Sequence, residues 1–441
     1  MNKWVVCIAA ASLSMTACGD DGSKKTVKSI IIGGVFIDDV DEAARLRLNA
    51  VRMAAEEMTA AGVLPLPVTV DNRPASKGGA ADKDLAAEEA KKLHDVGAVG
   101  VVTMYSSIAG AINAVTNVAP YDDFVQCSSS ATSPVLNNPT SSDPGADKSD
   151  VFYRTVVNDT VQGALLSKLL EEIGNKNVAI YYQKGPFGEG IKDVVSSTLP
   201  SDFSVTVIEF PESEFSVATN QDDLNGLIDG GYDVVLVAAV QSPSSEITNY
   251  LTAHDYRGVI LLTDGASDDA LFSVATTVGT WLQKAGNDLL GVNPDNYAGV
   301  NSAGFRAAFK AKYDEEPNSY SSTAYDCGYA IGLSLLLAGA KDTYVPQDVK
   351  TNIAAFKEEN RGAAPTVVGI GKAGFAAAAT SIANGEDIVF EGASGELIFD
   401  STGDRPRQPI YTYEYDPDTG NTWKRRTCYD DDLVVTTCLG N

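Results

Sequence analysis

The sequence predicts an α/β fold of two doubly wound parallel-sheet lobes joined by a hinge, with a short C-terminal β tail. Three observations predict it. From residue 28 onward, short runs of Val, Ile and Leu alternate with stretches of helical periodicity, the pattern of parallel strands covered on both faces. A loop rich in Ser, Pro, Asp and Gly, Ser133 to Asp150, divides that alternation into two series of similar size. The 441 residues suffice for two to three domains, each burying its own core.

Taken in order, the chain opens on an address. Met1-Asn2-Lys3 is basic and Trp4 to Leu13 is an apolar run too short to cross about 30 Å of hydrocarbon. It leads into Met15-Thr16-Ala17-Cys18, which resembles the bacterial lipobox, with Met15 where Leu is usual. Residues 1–17 therefore read as a lipoprotein signal peptide, Cys18 as the lipidated first residue of the mature chain, and 18–27 as a polar tether.

Ser29 to Phe36 reads as the first buried strand. Residues 41–61 read as a helix, because Leu46, Val51, Ala54, Ala55 and Met58 recur at helical spacing and Gly62 can stop it. Pro67 to Val70 is a second strand, 82–95 a helix, and Ala98 to Met104 a third strand. Strands at 123–127, 178–182, 204–209, 233–240 and 258–263 continue the beat. After Asp264 the chain reads as mostly helical through Ala340, and the aromatic alternation of Tyr411 to Tyr415 before turn residues reads as a hairpin. The resemblance described below implies 28–155 plus 267–383 as the first lobe, 156–266 plus 384–425 as the second, and 426–441 as a tail.

Composition excludes several function classes. With 59 acidic against 33 basic residues the net charge is −26, and no Lys/Arg cluster exists to meet nucleic-acid phosphates. Two histidines, His94 and His254, leave little room for a Ser-His-Asp nucleophile or a His-based metal site. No metal and no cofactor is expected. Gly369-Ile370-Gly371-Lys372-Ala373-Gly374 matches the dinucleotide fingerprint, but it lies late and outside consecutive βα units, so it reads as a glycine-rich connection. Asp416 to Gly420 reads as a turn rather than a calcium loop, since the twelfth-position Glu is missing. In an exported chain Cys428 and Cys438 are a disulfide candidate, whereas Cys127 and Cys327 read as two buried small hydrophobic residues in preference to a bridge between them.

Polar groups at strand C-terminal ends are the candidates for a site. Asp38, Asp39, Asp41 and Glu42 follow the first strand, either as acids favouring the helix behind them or as an electronegative rim. Ser106 and Ser107, and the run Ser128 to Thr132, place hydroxyls and backbone N–H groups at the edge of an interlobe crevice.

Ser129 to Pro134, Phe152-Tyr153-Arg154-Thr155, Asp159 to Gly163, Val178 to Tyr182 and Phe187-Gly188-Glu189-Gly190 occur in this order. Tyr313, Glu316-Pro317, Ala324-Tyr325-Asp326, Glu391 to Gly395, Phe399-Asp400 and Gly403-Asp404 follow. As an ordered set they resemble the type I periplasmic binding proteins, and among them the leucine/isoleucine/valine-binding receptors of ABC transporters. The resemblance implies that Ser107 or Ser106, with Ser130 and Thr132, holds a ligand carboxylate and amine. It implies further that Asp264 pairs with a ligand ammonium, and that Phe187 closes over the ligand from the second lobe. The expected protein is a non-enzymatic, lipid-anchored periplasmic receptor for a small amino-acid-like solute, partnered by a membrane permease. A ligand sensor of the same fold without a transport role is the alternative.

Overall fold

The computed structural model describes residues 28–37, 41–77, 80–174, 176–212, 215–267, 276–416, 422–430 and 432–438. The signal peptide, Cys18, the tether, Asp38, Asp39 and the 417–420 turn lie outside the described residues.

The first lobe begins β1 (Ile30–Val35), α1 (Glu42–Ala61), β2 (Val68–Asn72), then a small antiparallel pair, β3 (Ser76–Lys77) and β4 (Ala80–Ala81). It continues α2 (Lys83–Asp95), β5 (Ala98–Thr103), α3 (Ser106–Thr116), β6 (Gln126–Ser128) and β7 (Phe152–Arg154). The strands form one parallel sheet in the order β2-β1-β5-β6-β7. Every residue of β5 is buried, as a central parallel strand requires. Asp41 caps α1 by accepting from the Ala44 N–H at 2.7 Å, so at this position the acid serves the helix N-terminus.

The second lobe runs α4 (Asp159–Ile173), β8 (Asn177–Gln183), α5 (Pro186–Thr198), β9 (Ser204–Phe210), α6 (Gln221–Asp229) and β10 (Val234–Ala238). It goes on through α7 (Gln241–Ala253), β11 (Val259–Leu262), α8 (Thr276–Leu282) and β12 (Asp288–Pro294). The chain then returns to the first lobe as α9 (Ser302–Tyr313), α10 (Ser321–Leu337), α11 (Pro346–Ile353), β13 (Thr366–Val368), α12 (Gly371–Ala383) and β14 (Ile388–Phe390). It ends in the second-lobe sheet as β15 (Ile410–Asp416), β16 (Thr422–Tyr429) and β17 (Val435–Thr436). That sheet has the order β9-β8-β10-β11-β12-β15-β16-β17, parallel as far as β12 and antiparallel beyond.

Two lobe boundaries fall later than the sequence suggests. Residues 267–294 were expected in the first lobe, yet β12 pairs in parallel with β11 and extends the second sheet. Gly291 broke the apolar run that would have revealed this strand. A Cβ there would come within 2.0 Å of the Tyr413 ring on neighbouring β15, so only glycine fits. Residues 384–403, expected in the second lobe, carry β14 beside β13 and place Phe390 and Phe399 in the first-lobe core. The tail expected at 426–441 is continuous with the second sheet through β16 and β17.

The lobes are therefore joined by three crossings, at about 155–158, 295–301 and 404–409, and these are laced together. Arg405 donates to the Thr155 carbonyl at 2.8 Å, Gln408 donates to the Asn296 side chain at 2.7 Å and accepts from the Val157 N–H at 3.1 Å. Asp295 N donates to the Pro409 carbonyl at 2.7 Å. Arg154 clasps Asp404 with Nε and Nη2 at 2.6 and 2.8 Å, and its Nη1 donates to the carbonyls of Ala131 and Ser133.

Both cysteine pairs are bonded. Cys428–Cys438 matches the expectation. Cys127–Cys327 corrects the reading of two separate thiols: β6 packs against α10, which brings Cα atoms 200 residues apart in sequence to 5.5 Å. The late glycine motif is the turn from β13 into α12; a Cβ on Gly374 would come within 1.9 Å of the Gly369 carbonyl, so the glycines serve close packing.

Candidate ligand-binding crevice

The C-terminal ends of the two parallel sheets face each other across the crevice, and the side chains that meet there come from both lobes. From the first lobe, α3 starts immediately after β5, with Tyr105 at its cap in a left-handed conformation, φ 57°. Such a backbone costs a non-glycine residue on the order of 1 kcal/mol and persists where the surrounding structure holds it. The Tyr105 N–H points at Ser130 Oγ, 3.3 Å away. Ser106 Oγ accepts from the Ser133 N–H at 3.2 Å, so this serine fastens the 129–134 loop, and Ser107 is buried one position along.

Ser130 Oγ also accepts from Nη1 of Arg47 at 2.9 Å. Arg47 belongs to α1 and is 5% exposed, with its guanidinium 4.7 Å from the Tyr320 ring centroid and 5.7 Å from that of Tyr105. Tyr320 stands at the N-terminal cap of α10, and its hydroxyl donates across the crevice to Asp264 Oδ2.

Asp264 lies at the end of β11 in a short 3₁₀ turn, 264–266, whose cap position is held by Thr263. Gln162 of α4 donates to Asp264 Oδ1 at 2.9 Å and accepts from the Asp264 N–H at 2.8 Å, which locks the carboxylate in place. Gln162 also donates to Asp159 Oδ1 at 2.7 Å, so one amide holds two carboxylates together. Burial pushes both carboxyls upward; Asp159 is pushed further because it also faces the charge of Asp264, while Arg47 and the Tyr320 and Gln162 hydrogen bonds favour the Asp264 anion. Burial, with Asp264 alongside, keeps the Tyr320 hydroxyl protonated as a donor.

Ser133 Oγ and Arg47 Nε are buried without a hydrogen-bond partner, while the Thr132 hydroxyl sits beside the Asp159 carboxyl and favours its anion. A cluster of orphaned donors and acceptors at one crevice is the signature of a polar site that completes its bonding with something other than the chain.

Of the six expected site residues, Ser130, Thr132 and Asp264 converge here, and Ser106 and Ser107 border the cluster. Phe187 does not join it; at the second position of α5 it packs half-buried against the second-lobe core. Sequence reasoning missed Arg47, Tyr320 and the role of Gln162. Arg47 carried a signal: it is in phase with Val51, Ala54 and Met58, a cation on the apolar stripe of its helix. Among the described residues no group of His, Cys, Asp and Glu could hold a metal, and no helix is long and apolar enough to cross a membrane.

The architecture recurs in solved proteins. A leucine-binding protein of Thermotoga maritima superposes with a TM-score of 0.69 at 15% identity, covering 92% of this chain and 100% of its own. A branched-chain amino acid transporter substrate-binding protein of Streptococcus pneumoniae, in complex with isoleucine, gives 0.66 at 18% identity over 93% and 100%. An ABC-transporter solute-binding protein of R. palustris, in complex with benzoate, gives 0.64 at 12% over 93% and 98%. These likenesses establish the type I periplasmic binding fold. The chain matches none of the curated proteins with which it was compared. The profile of the receptor family ligand binding region matches residues 46–416, spanning both lobes and all three crossings, and the chain belongs to that family.

Proposed function

We propose that the protein is a lipid-anchored extracytoplasmic solute-binding protein that takes a small, amino-acid-like ligand between its lobes and presents it to an ABC permease. The observation that carries this reading is Asp264. It is a buried carboxylate at a strand C-terminal end, contacted from the opposite lobe by Tyr320, beside donors and acceptors that lack partners. Amino-acid and aromatic-acid ligands in the structural relatives fit the same scale of solute. Lipidation at Cys18 rests on the lipobox resemblance and places the molecule at a membrane surface.

The ligand's ammonium pairs with Asp264 and its polar end reaches the first-lobe hydroxyls, so full contact exists only with the lobes together. Binding thereby shifts the hinge toward the closed form. Calorimetry on Asp264→Asn tests the assignment. A desolvated charge-assisted bond contributes about 1.5–3 kcal/mol, so an amine-bearing ligand should bind at least about tenfold more weakly. Unchanged affinity would remove Asp264 from the site.

A further inference from the structure

Among the described residues three arginines are buried, and two are spoken for. Arg154 spends its Nε–Nη2 edge on Asp404, and Arg405 donates to the carbonyls of Thr155, Ser394 and Arg407 and to Ser394 Oγ. Arg47 is different. Its Nη1 is held by Ser130, two tyrosine rings flank its plane, and its Nε is buried without a partner. Asp264 attracts it, but no hydrogen bond or salt bridge joins the two among the described residues; the Asp264 oxygens accept from Gln162 and Tyr320.

A guanidinium out of water needs an anion or strong acceptors, since an uncompensated buried charge is costly. The edge left open at Nε is the one with which Arg154 grips a carboxylate, and its two parallel N–H groups match carboxylate geometry. From these contacts we infer that Arg47, seated on Ser130 between Tyr105 and Tyr320, is the anion-recognition residue of the crevice and selects ligands bearing a carboxylate. Asp264 supplies the opposite pole on the other lobe. The ligand class is thereby narrowed to small molecules with a carboxylate at one end and a cationic nitrogen at the other. This inference rests on the crevice being the ligand site.

The test titrates ligand-stripped protein with the twenty common amino acids, then compares the tightest binder with its carboxamide, which lacks the anion. Wild type should prefer the acid by about tenfold or more, the range of a hydrogen bond to a charged group. In Arg47→Met that preference should collapse toward one. Arg47→Lys, which keeps the charge but not the fork, should retain part of it and serves as the reading if the Met variant fails to fold. Equal binding of acid and amide by wild type, or an undiminished preference in both variants, overturns Arg47 as the anion reader while leaving a solute-binding crevice intact. Binding of no amino acid at all overturns the amino-acid-like reading itself and this inference with it.

Discussion

Asp326 shows how a single buried residue links this fold to pH. It sits in α10, fully enclosed, and accepts from the N–H groups of Ala393 and Ser394 at 2.8 Å each and from Ser394 Oγ at 2.5 Å. Burial pushes its carboxyl up to about 6, against the pull of those donors and of Arg405 nearby. An unfolded aspartate loses its proton near 4, so between about 4 and 6 the folded state holds a proton that the unfolded chain has released. Stability from this group is therefore fully present below about 4 and is lost as pH rises toward 6, by up to about 3 kcal/mol. Asp326→Asn cannot titrate. Urea melts at several pH values should show wild type losing ground to Asp326→Asn as pH rises from 4 to 7; a constant or widening wild-type advantage would contradict the assignment. At this scale the sequence was partly legible. Asp264 was legible as a polar group after an apolar strand, where parallel sheets present such groups, and it stands at the end of β11. Arg47 was not, because a charge within an acidic and basic helix reads as solvated unless its phase against the apolar stripe is checked. Phe187 was misplaced by resemblance: an aromatic at the start of α5 can face the crevice or the core, and nothing in its neighbours says which.

Among elements, α10 carries the most weight. It is buried along nearly its whole length, packs on α1, and is tied to β6 by the Cys127–Cys327 bond. Thr155, at the first crossing, donates to the Thr323 carbonyl of the same helix at 2.8 Å, so the bond, the helix and the hinge form one unit. A disulfide of this kind contributes about 2–4 kcal/mol, more for long loops in the chain-entropy account. Cys327→Ala should therefore melt several degrees below wild type, and further below than Cys438→Ala, whose bond spans a separation of 10 rather than 200 residues. Equal losses in the two variants would show that the core bond stabilises no more than the tail one. The alternation of strands and helices made the first ten or so elements readable from sequence. Connection between distant elements was not readable, since sequence separation alone does not limit which cysteines meet. Strand β12 was hidden for a similar reason: the glycine demanded by Tyr413, more than a hundred residues away, disguised it.

At the scale of the molecule, three laced crossings join the two sheets, and the crevice polar groups come from both lobes. Lys83 and Glu212 bridge the outer rim of the lobes at 2.8 Å, but this exposed pair contributes little, and the central contact is that of Tyr320 with Asp264. We propose that the crevice around this contact holds a small ligand bearing both an anion and a cationic nitrogen. Mass spectrometry of what the purified, full-length protein releases on denaturation tests it most directly. The expected result is one small molecule with a carboxylate and an amine, near one per chain, that rebinds the refolded protein and lowers its radius of gyration. A stoichiometric released molecule lacking either group, or one that rebinds with no change in the radius of gyration, would contradict the account.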